Sequence, residues 1–322
     1  MSSSTSSASD DRPYMNLFDG KGMWLVPSLP ENSEAKKLLE FAREGNKKGV
    51  EEELNSKIKI DSQHSSGETA LMCALQYTDI VELLLKRGAD PNIKNICGES
   101  ALHIASRKGL KDVCDLLLHY GADINMKENL PRCERTPLIE ATENEHMEVV
   151  KLLCDRGADV NLCDCKGWSA LFYACCDILS NKELAEFLLA RGGNPHLSDK
   201  REYTMLMAAI PTLPNSEEDS SELMKAASEK IQLNKARGEY MEIMKLLLGR
   251  NIDVNKRNKD QSVAADIALC NKDPVALKLL LDHGATTSFC GGSSFFNSSS
   301  TVADIRQTMH LLEMMRAFQI KD

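Results

Sequence analysis

The sequence predicts an all-α fold: a solenoid of stacked helix-turn-helix units with hairpin fingers between them, a flexible N-terminal tail and a C-terminal capping helix. Three observations predict it. One motif recurs along most of the chain, opening on Gly-x-Thr-Ala-Leu or a variant, passing a fixed Ala, reaching Leu-Leu-Leu and ending on Gly-Ala-Asp-x-Asn. Within each copy the apolar residues fall at helical spacing. The composition is 42% hydrophobic but only 5% aromatic, so the core must come from Leu, Ile, Val, Ala and Met. For 322 residues, length alone suggests two compact domains. Repeat chains escape that expectation because they grow by adding units along one axis.

Residues 1–33 are rich in Ser, Asp, Gly and Pro and read as a disordered or partly docked tail. Inside it, Tyr14-Met15-Asn16-Leu17-Phe18 and Met23-Trp24-Leu25-Val26 either fold back over the first unit or form a linear motif for a partner. Helical spacing begins at Glu34. Leu38, Leu39, Ala42, Val50 and Leu54 lie on helix faces and Gly45-Asn46 breaks them, which gives two capping helices over 34–60. Six repeats run on to residue 285, opening at Gly67, Gly98, Arg135, Gly167, Tyr203 and Val263. The finger before the third carries extra residues around Pro131-Arg132-Cys133. The fifth holds an insertion, 211–236, with an acidic serine cluster from Ser216 to Glu222 and a helical stretch from Leu223 to about Leu233. A loop of that length is functional or simply solvated, and phosphate on its serines would add negative charge and reset docking. Residues 286–300 read as a linker. In 301–322, Val302, Ile305, Met309, Leu312 and Met315 keep a helical period, the mark of a helix that covers the last repeat.

Each recurring residue has a physical task. Thr or Ser before the apolar run satisfies free N–H groups at a helix start. Pro137 sits just inside its helix, where a missing N–H costs nothing. The fixed Ala (Ala74, Ala105, Ala141, Ala174, Ala209, Ala268) lets two helices approach closely. The Leu triplet buries against the first helix and the next unit, and the Gly after it supplies a left-handed helix stop. The segment from Asp-x-Asn to the next Gly-x-Thr projects as a finger. No unit buries its apolar face alone, so stability comes from neighbours.

These starts, triplets and Gly-Ala-Asp-Val-Asn ends resemble the ankyrin repeat, whose period is about 33 residues. The resemblance covers residues 34–285 and rests on six copies that agree with one another. It implies an ankyrin-repeat solenoid and a non-catalytic protein–protein interaction module, a scaffold, adaptor or inhibitor, which binds through finger tips and the concave face of the first helices. Carried over by position, the residues before each cap are Glu68, Glu99, Arg135, Trp168 and Tyr203, and the first-helix residues are Ile104, Arg107, Glu140, Glu143, Tyr173 and Cys176. Trp, Tyr and Arg dominate interface energies, which singles out Trp168, Tyr173 and Tyr203 in the third to fifth repeats. The alternative is that Trp168 and Tyr173 pack on the neighbouring finger and are half exposed. Only His103 keeps the family's His at the helix start, and it reads as a structural hydrogen-bonding group. The ends at Asn125, Asn161 and Asn255 also resemble segments hydroxylated on Asn in some ankyrin proteins.

Composition narrows the function further. The formal charge of −9 and pI of about 5.4 disfavour direct nucleic-acid binding. No run of about 18 apolar residues exists, so no membrane insertion is expected. The N-terminus has neither the basic start nor the apolar stretch of a secretory signal. Eleven cysteines without a secretory route are reduced thiols, which places the chain in the cytoplasm, the nucleus or both. Nucleotide-loop, serine-elbow and zinc-helix motifs are missing, so no catalytic residue and no cofactor are expected. Cys154, Cys163, Cys165, Cys175 and Cys176 are a remote candidate for metal. Their spacing is too tight for a zinc knuckle, and Cys154 and Cys175 stand at core positions. The expected molecule is a monomer that holds one or more proteins. The alternative is a regulatory or targeting subunit of an enzyme complex.

Overall fold

The computed structural model describes residues 33–56, 58–128, 134–176, 180–211, 238–271 and 273–287. The tail, Pro131-Arg132-Cys133, the body of the insertion and the C-terminal helix expected over 301–322 lie outside the described residues. The chain divides into two units, Met1–Ala101 and Leu102–Asp322.

The first unit holds α1 (Ser33–Glu44), α2 (Lys47–Asn55), α3 (Ala70–Cys73) and α4 (Thr78–Lys86). The break at Gly45-Asn46 separates α1 from α2, and the Asn46 side chain accepts from Gly49 N at 3.0 Å to cap the second helix. α1 packs on α2 and α3, α2 on α4, and α3 on α4, so two helix hairpins lie side by side. Leu38, Ala42, Val50, Leu71, Leu75, Ile80 and Leu84 fill the space between them.

The second unit continues the pattern with α5 (Ala101–Arg107), α6 (Lys111–His119), α7 (Pro137–Glu143), α8 (Met147–Asp155), α9 (Ala170–Cys175), α10 (Lys182–Ala190), α11 (Met205–Ala208), α12 (Glu239–Leu248), α13 (Ala264–Cys270) and α14 (Pro274–Asp282). Hairpin partners touch, as in α7 with α8 and α9 with α10. First helices also stack on first helices (α7 on α9, α9 on α11, α11 on α13) and second on second (α6 on α8, α10 on α12). The fixed Ala sits at these crossings: Ala74, Ala105, Ala141, Ala174, Ala209 and Ala268 are all fully buried.

The caps follow the sequence closely. Thr69, Thr136, Ser169 and Thr204 accept from the N–H three residues on, at 3.4, 3.3, 3.3 and 3.2 Å. Val263 has no hydroxyl, and there the cap is reversed: Asp266 Oδ2 accepts from Val263 N at 2.9 Å. After the second helices, Gly88, Gly121, Gly157, Gly192 and Gly284 turn left-handed with φ between 83° and 89°. In the fifth repeat Asn251 holds that place at φ 55°, and Asn is the side chain that tolerates it best.

The fingers are closed by one residue each. His64, Asn95, Glu128, Asp164, Asp199 and Asn258 each donate their N–H to the carbonyl of Glu68, Glu99, Arg135, Trp168, Tyr203 and Ser262 respectively. Among the described residues, the only bridges outside helices are the finger pairs Cys163–Ser169 and Ser198–Thr204. At the finger bases, Asn161 accepts from Asn194 N at 2.8 Å and donates to the Gly192 carbonyl at 3.1 Å, so each Asn ties its unit to the next. Asn255 repeats the arrangement with Thr286 and Gly284.

Candidate partner-binding site

Arg135, the residue before the Thr136 cap, is the centre of the site. Its finger aims the guanidinium along α7, where Glu140 and Glu143 occupy successive turns. Arg135 grips Glu143 with both nitrogens, at 2.6 and 2.8 Å, and reaches Glu140 Oε1 at 3.2 Å. A two-pronged grip of this kind fixes orientation as well as energy. The guanidinium also lies 5.6 Å from the centre of the Tyr173 ring and donates to its hydroxyl at 3.4 Å. Tyr173 in turn donates to Asp164 Oδ2 at 2.9 Å. The other oxygen of Asp164 takes the N–H groups of Lys166 and Trp168, both at 2.8 Å. A continuous polar chain thus links the third repeat to the finger of the fourth.

Aromatic packing extends the chain. Trp168 stacks on Phe172 at 4.8 Å and meets Tyr173 edge-on at 5.2 Å, with the Lys166 ammonium 4.8 Å above the indole. On the other side Arg107 Nη1 stands 3.9 Å from Glu140 Oε2. Glu140 Oε2 and Trp168 Nε1 are buried without a hydrogen-bond partner. His103 is fully buried with Nε2 3.2 Å from the Arg135 carbonyl, the structural role expected of it.

Electrostatics follow from this packing. Burial pushes the Glu143 carboxyl up, and Arg135 offsets only part of that rise. Burial also raises the Tyr173 phenol, against the pull of Arg135 and with help from Asp164. Burial works against the charged Arg135, yet Tyr173, Glu143 and Glu140 together hold it above its usual range.

The expected site residues divide into two groups. Glu99, Arg107, Arg135, Glu143, Trp168 and Tyr203 are half-buried, with edges open to solvent. Ile104, Glu140, Tyr173 and Cys176 are not exposed as the helical register implied, but are only 7, 1, 3 and 4% accessible. At Glu140 the cover is Arg135, which reaches over it from the finger. Trp168 is half-buried, as the alternative has it, but its ring packs on Phe172 and Tyr173 of its own repeat rather than on a neighbouring finger; for Tyr173 burial goes further than that alternative expected. Asp164, Lys166 and Phe172 belong to the cluster and were missed. A signal for Asp164 was available: Asn95, Asp164, Asp199 and Asn258 stand at the same place in successive fingers.

Cys175 is fully buried, whereas Cys154, expected in the core, is half-buried on the outer turn of α8. Burial raises the Cys154 thiol to about 11 and the Cys114 thiol to about 12. Cys176 donates to the Tyr173 carbonyl at 3.0 Å. Among the described residues no group of three or more His, Cys, Asp or Glu is gathered as a metal site. None of the described helices is long and apolar enough to cross a membrane.

A family model for ankyrin repeats, in three copies, matches residues 38–128 and 127–199. Among curated relatives, the human ankyrin repeat and SOCS box protein 6 is 32% identical over 145 residues, 43% of this chain and 34% of that protein. The human neurogenic locus notch homolog protein 1 is 34% identical over 149 residues, 45% of this chain and 6% of that one. The ankyrin repeat and KH domain-containing protein mask-1 of Caenorhabditis elegans is 30% identical over 187 residues, 48% of this chain and 7% of that one. The chain spans about a third of the length of the first of these.

Proposed function

Because the chain belongs to the ankyrin-repeat family, we propose that it is a non-catalytic adaptor that holds a partner protein on its finger tips and first-helix faces. The observation that carries this reading is the Arg135 network. It holds Arg135, Glu143 and Trp168 half-exposed in one fixed arrangement, and prepared polar and aromatic edges lose little freedom when a partner covers them. The shifted phenol and thiol groups support recognition rather than catalysis. The Tyr173 phenol and the Cys114, Cys154 and Cys175 thiols are all shifted away from reactivity at neutral pH by burial. Relatives whose names join the repeats to a SOCS box or a KH domain support an adaptor, with the repeats supplying the grip. Nine described cysteines as free thiols are compatible with our further proposal of a reducing compartment, cytoplasm or nucleus.

Affinity purification with mass spectrometry tests the proposal. Tyr203→Ala removes a half-exposed ring beside the fourth finger, and a partner seated there is depleted at least tenfold. Lys151→Glu on the second helix α8 leaves capture unchanged. Equal capture by wild type and Tyr203→Ala, or measurable turnover by the pure chain, contradicts the reading.

A further inference from the structure

The finger tips of the second unit carry exposed cations in a chain of formal charge −9. Lys166 stands on one finger, Lys200 and Arg201 on the next, and Arg257 and Lys259 on the one after, all exposed. Two backbone bonds lace these tips together. Lys200 N–H donates to the Lys166 carbonyl and Lys259 N–H to the Arg201 carbonyl, both at 2.9 Å. Lys256, half-buried, donates to Ser198 Oγ at 3.1 Å and adds a sixth charge. Neighbouring tips bonded through their backbones lie within a Debye length, about 8–10 Å at physiological salt, so their fields add.

Most of these cations lack an ion-pair partner among the described residues. Second-helix cations of the same unit have carboxylate partners: Lys111 and Lys151 with Glu148, Lys182 with Glu186, Arg191 with Asp155 and Lys245 with Glu242. Among the described residues Lys200, Arg201, Arg257 and Lys259 make no ion pair. The nearest carboxylates in sequence keep their charge but are turned inward to other donors. Asp164 serves Tyr173 and two backbone N–H groups, and Asp199 takes Arg201 N and Tyr203 N at 2.8 and 2.7 Å. The exposed carboxylates near the six cations are Glu202 and Asp260 on the tips and Asp253 beside Lys256. The exposed side chains of the three tips therefore carry more positive than negative charge, five cations against Glu202 and Asp260, and an anionic partner would meet that excess.

We infer that this ridge seats an extended acidic segment of the partner protein. The inference rests on the interaction-module reading and names the chemistry of the partner. A peptide fits better than a nucleic acid. Carboxylates on alternate residues of an extended chain recur every 6.5–7 Å or so, a spacing that a single row of cations can follow. Duplex DNA carries a charge about every 1.7 Å and would bring many phosphates against an otherwise acidic protein. Trp168 and Tyr203, half-buried beside Lys166 and Arg201, offer an apolar wall for side chains between the carboxylates.

Fluorescence anisotropy on the full chain tests this with three labelled probes: a 12-residue peptide alternating Glu and Ser, the same peptide with Lys for Glu, and a 12-nucleotide single-stranded DNA. The Glu peptide binds, and its affinity falls as salt rises from 50 to 200 mM. The double variant Lys200→Glu with Arg201→Glu weakens it at least tenfold with an unchanged melting temperature, while Lys151→Glu has no effect. No binding of the Glu peptide, equal loss with Lys151→Glu, or DNA bound as tightly as the peptide overturns the inference. If the double variant still captures the cellular partner that Tyr203→Ala loses, the ridge proposal falls and the adaptor reading stands.

Discussion

Tyr173→Phe removes one oxygen from the middle of the polar chain and leaves the packing volume in place. In the native protein that hydroxyl donates to Asp164 Oδ2 at 2.9 Å, and both residues are buried. Asp164 Oδ1 is already shared by two backbone N–H groups, so Oδ2 has no substitute donor at hand. Hydrogen bonds to a charged group contribute about 1.5–3 kcal/mol, and a buried acceptor left bare costs a similar amount. The expected loss is therefore about 2–3 kcal/mol in urea-induced unfolding. For a cooperative unit of this size, roughly 2–4 °C per kcal/mol places the melting shift near 5–10 °C. Tyr120→Phe, whose ring meets His119 edge-on, is the matched control and changes stability by less than about 0.5 kcal/mol. Asp164→Asn closes a double-mutant cycle with Tyr173→Phe, and the two changes couple by at least about 1 kcal/mol. A Tyr173→Phe protein as stable as wild type, or a cycle with no coupling, refutes the claim that this chain of bonds fixes the site.

Three other expectations follow from the same structure. Asn161→Ala removes one accepted and one donated bond at the finger base and costs about 1–2 kcal/mol by chemical denaturation. Gly157→Ala, at φ 89° with nothing within 4 Å of the new methyl, loses about 1–2 kcal/mol of purely conformational origin, and Asn251→Gly stabilises by relieving the same strain. The Cys114 thiol, closed to solvent and pushed up to about 12 by burial, reacts with iodoacetamide at pH 7.5 far more slowly in the native protein than after unfolding. Because Cys114 and Cys154 are raised on folding, their contribution to stability is complete below the ordinary thiol range. It is lost as pH climbs through about 11 and 12, so the melting temperature falls on the alkaline side.

The repeat framework was legible because its signals are local. Thr136 caps its own helix, Pro137 fits its first turn, and Ala141 is small wherever two helices cross; each needs only a few neighbours in sequence. The helix stop survived even where Gly was absent, since Asn251 can adopt the same backbone. The proposed binding face was legible only in part, because side-chain exposure is decided by residues that arrive from elsewhere. Glu140 stands on a helix position that periodicity marks as open, yet Arg135 folds over it from the finger and leaves it 1% accessible. Tyr173 is covered in the same way by Trp168 and held from below by Asp164. The basic ridge was hidden for a different reason: whole-chain charge averages Lys166, Lys200, Arg201, Arg257 and Lys259 against the acidic remainder. Only the bonds between finger tips bring these residues into one row.

Site-specific photo-crosslinking measures the central claim most directly. A benzophenone amino acid is placed singly at Glu143, at Tyr203, and at the second-helix positions Lys151 and Glu186 of the full chain, and each protein is irradiated in cells. The account predicts adducts to the same partner from Glu143 and Tyr203 and none from Lys151 or Glu186. Adducts from the second helices alone, or from all four positions alike, would contradict it.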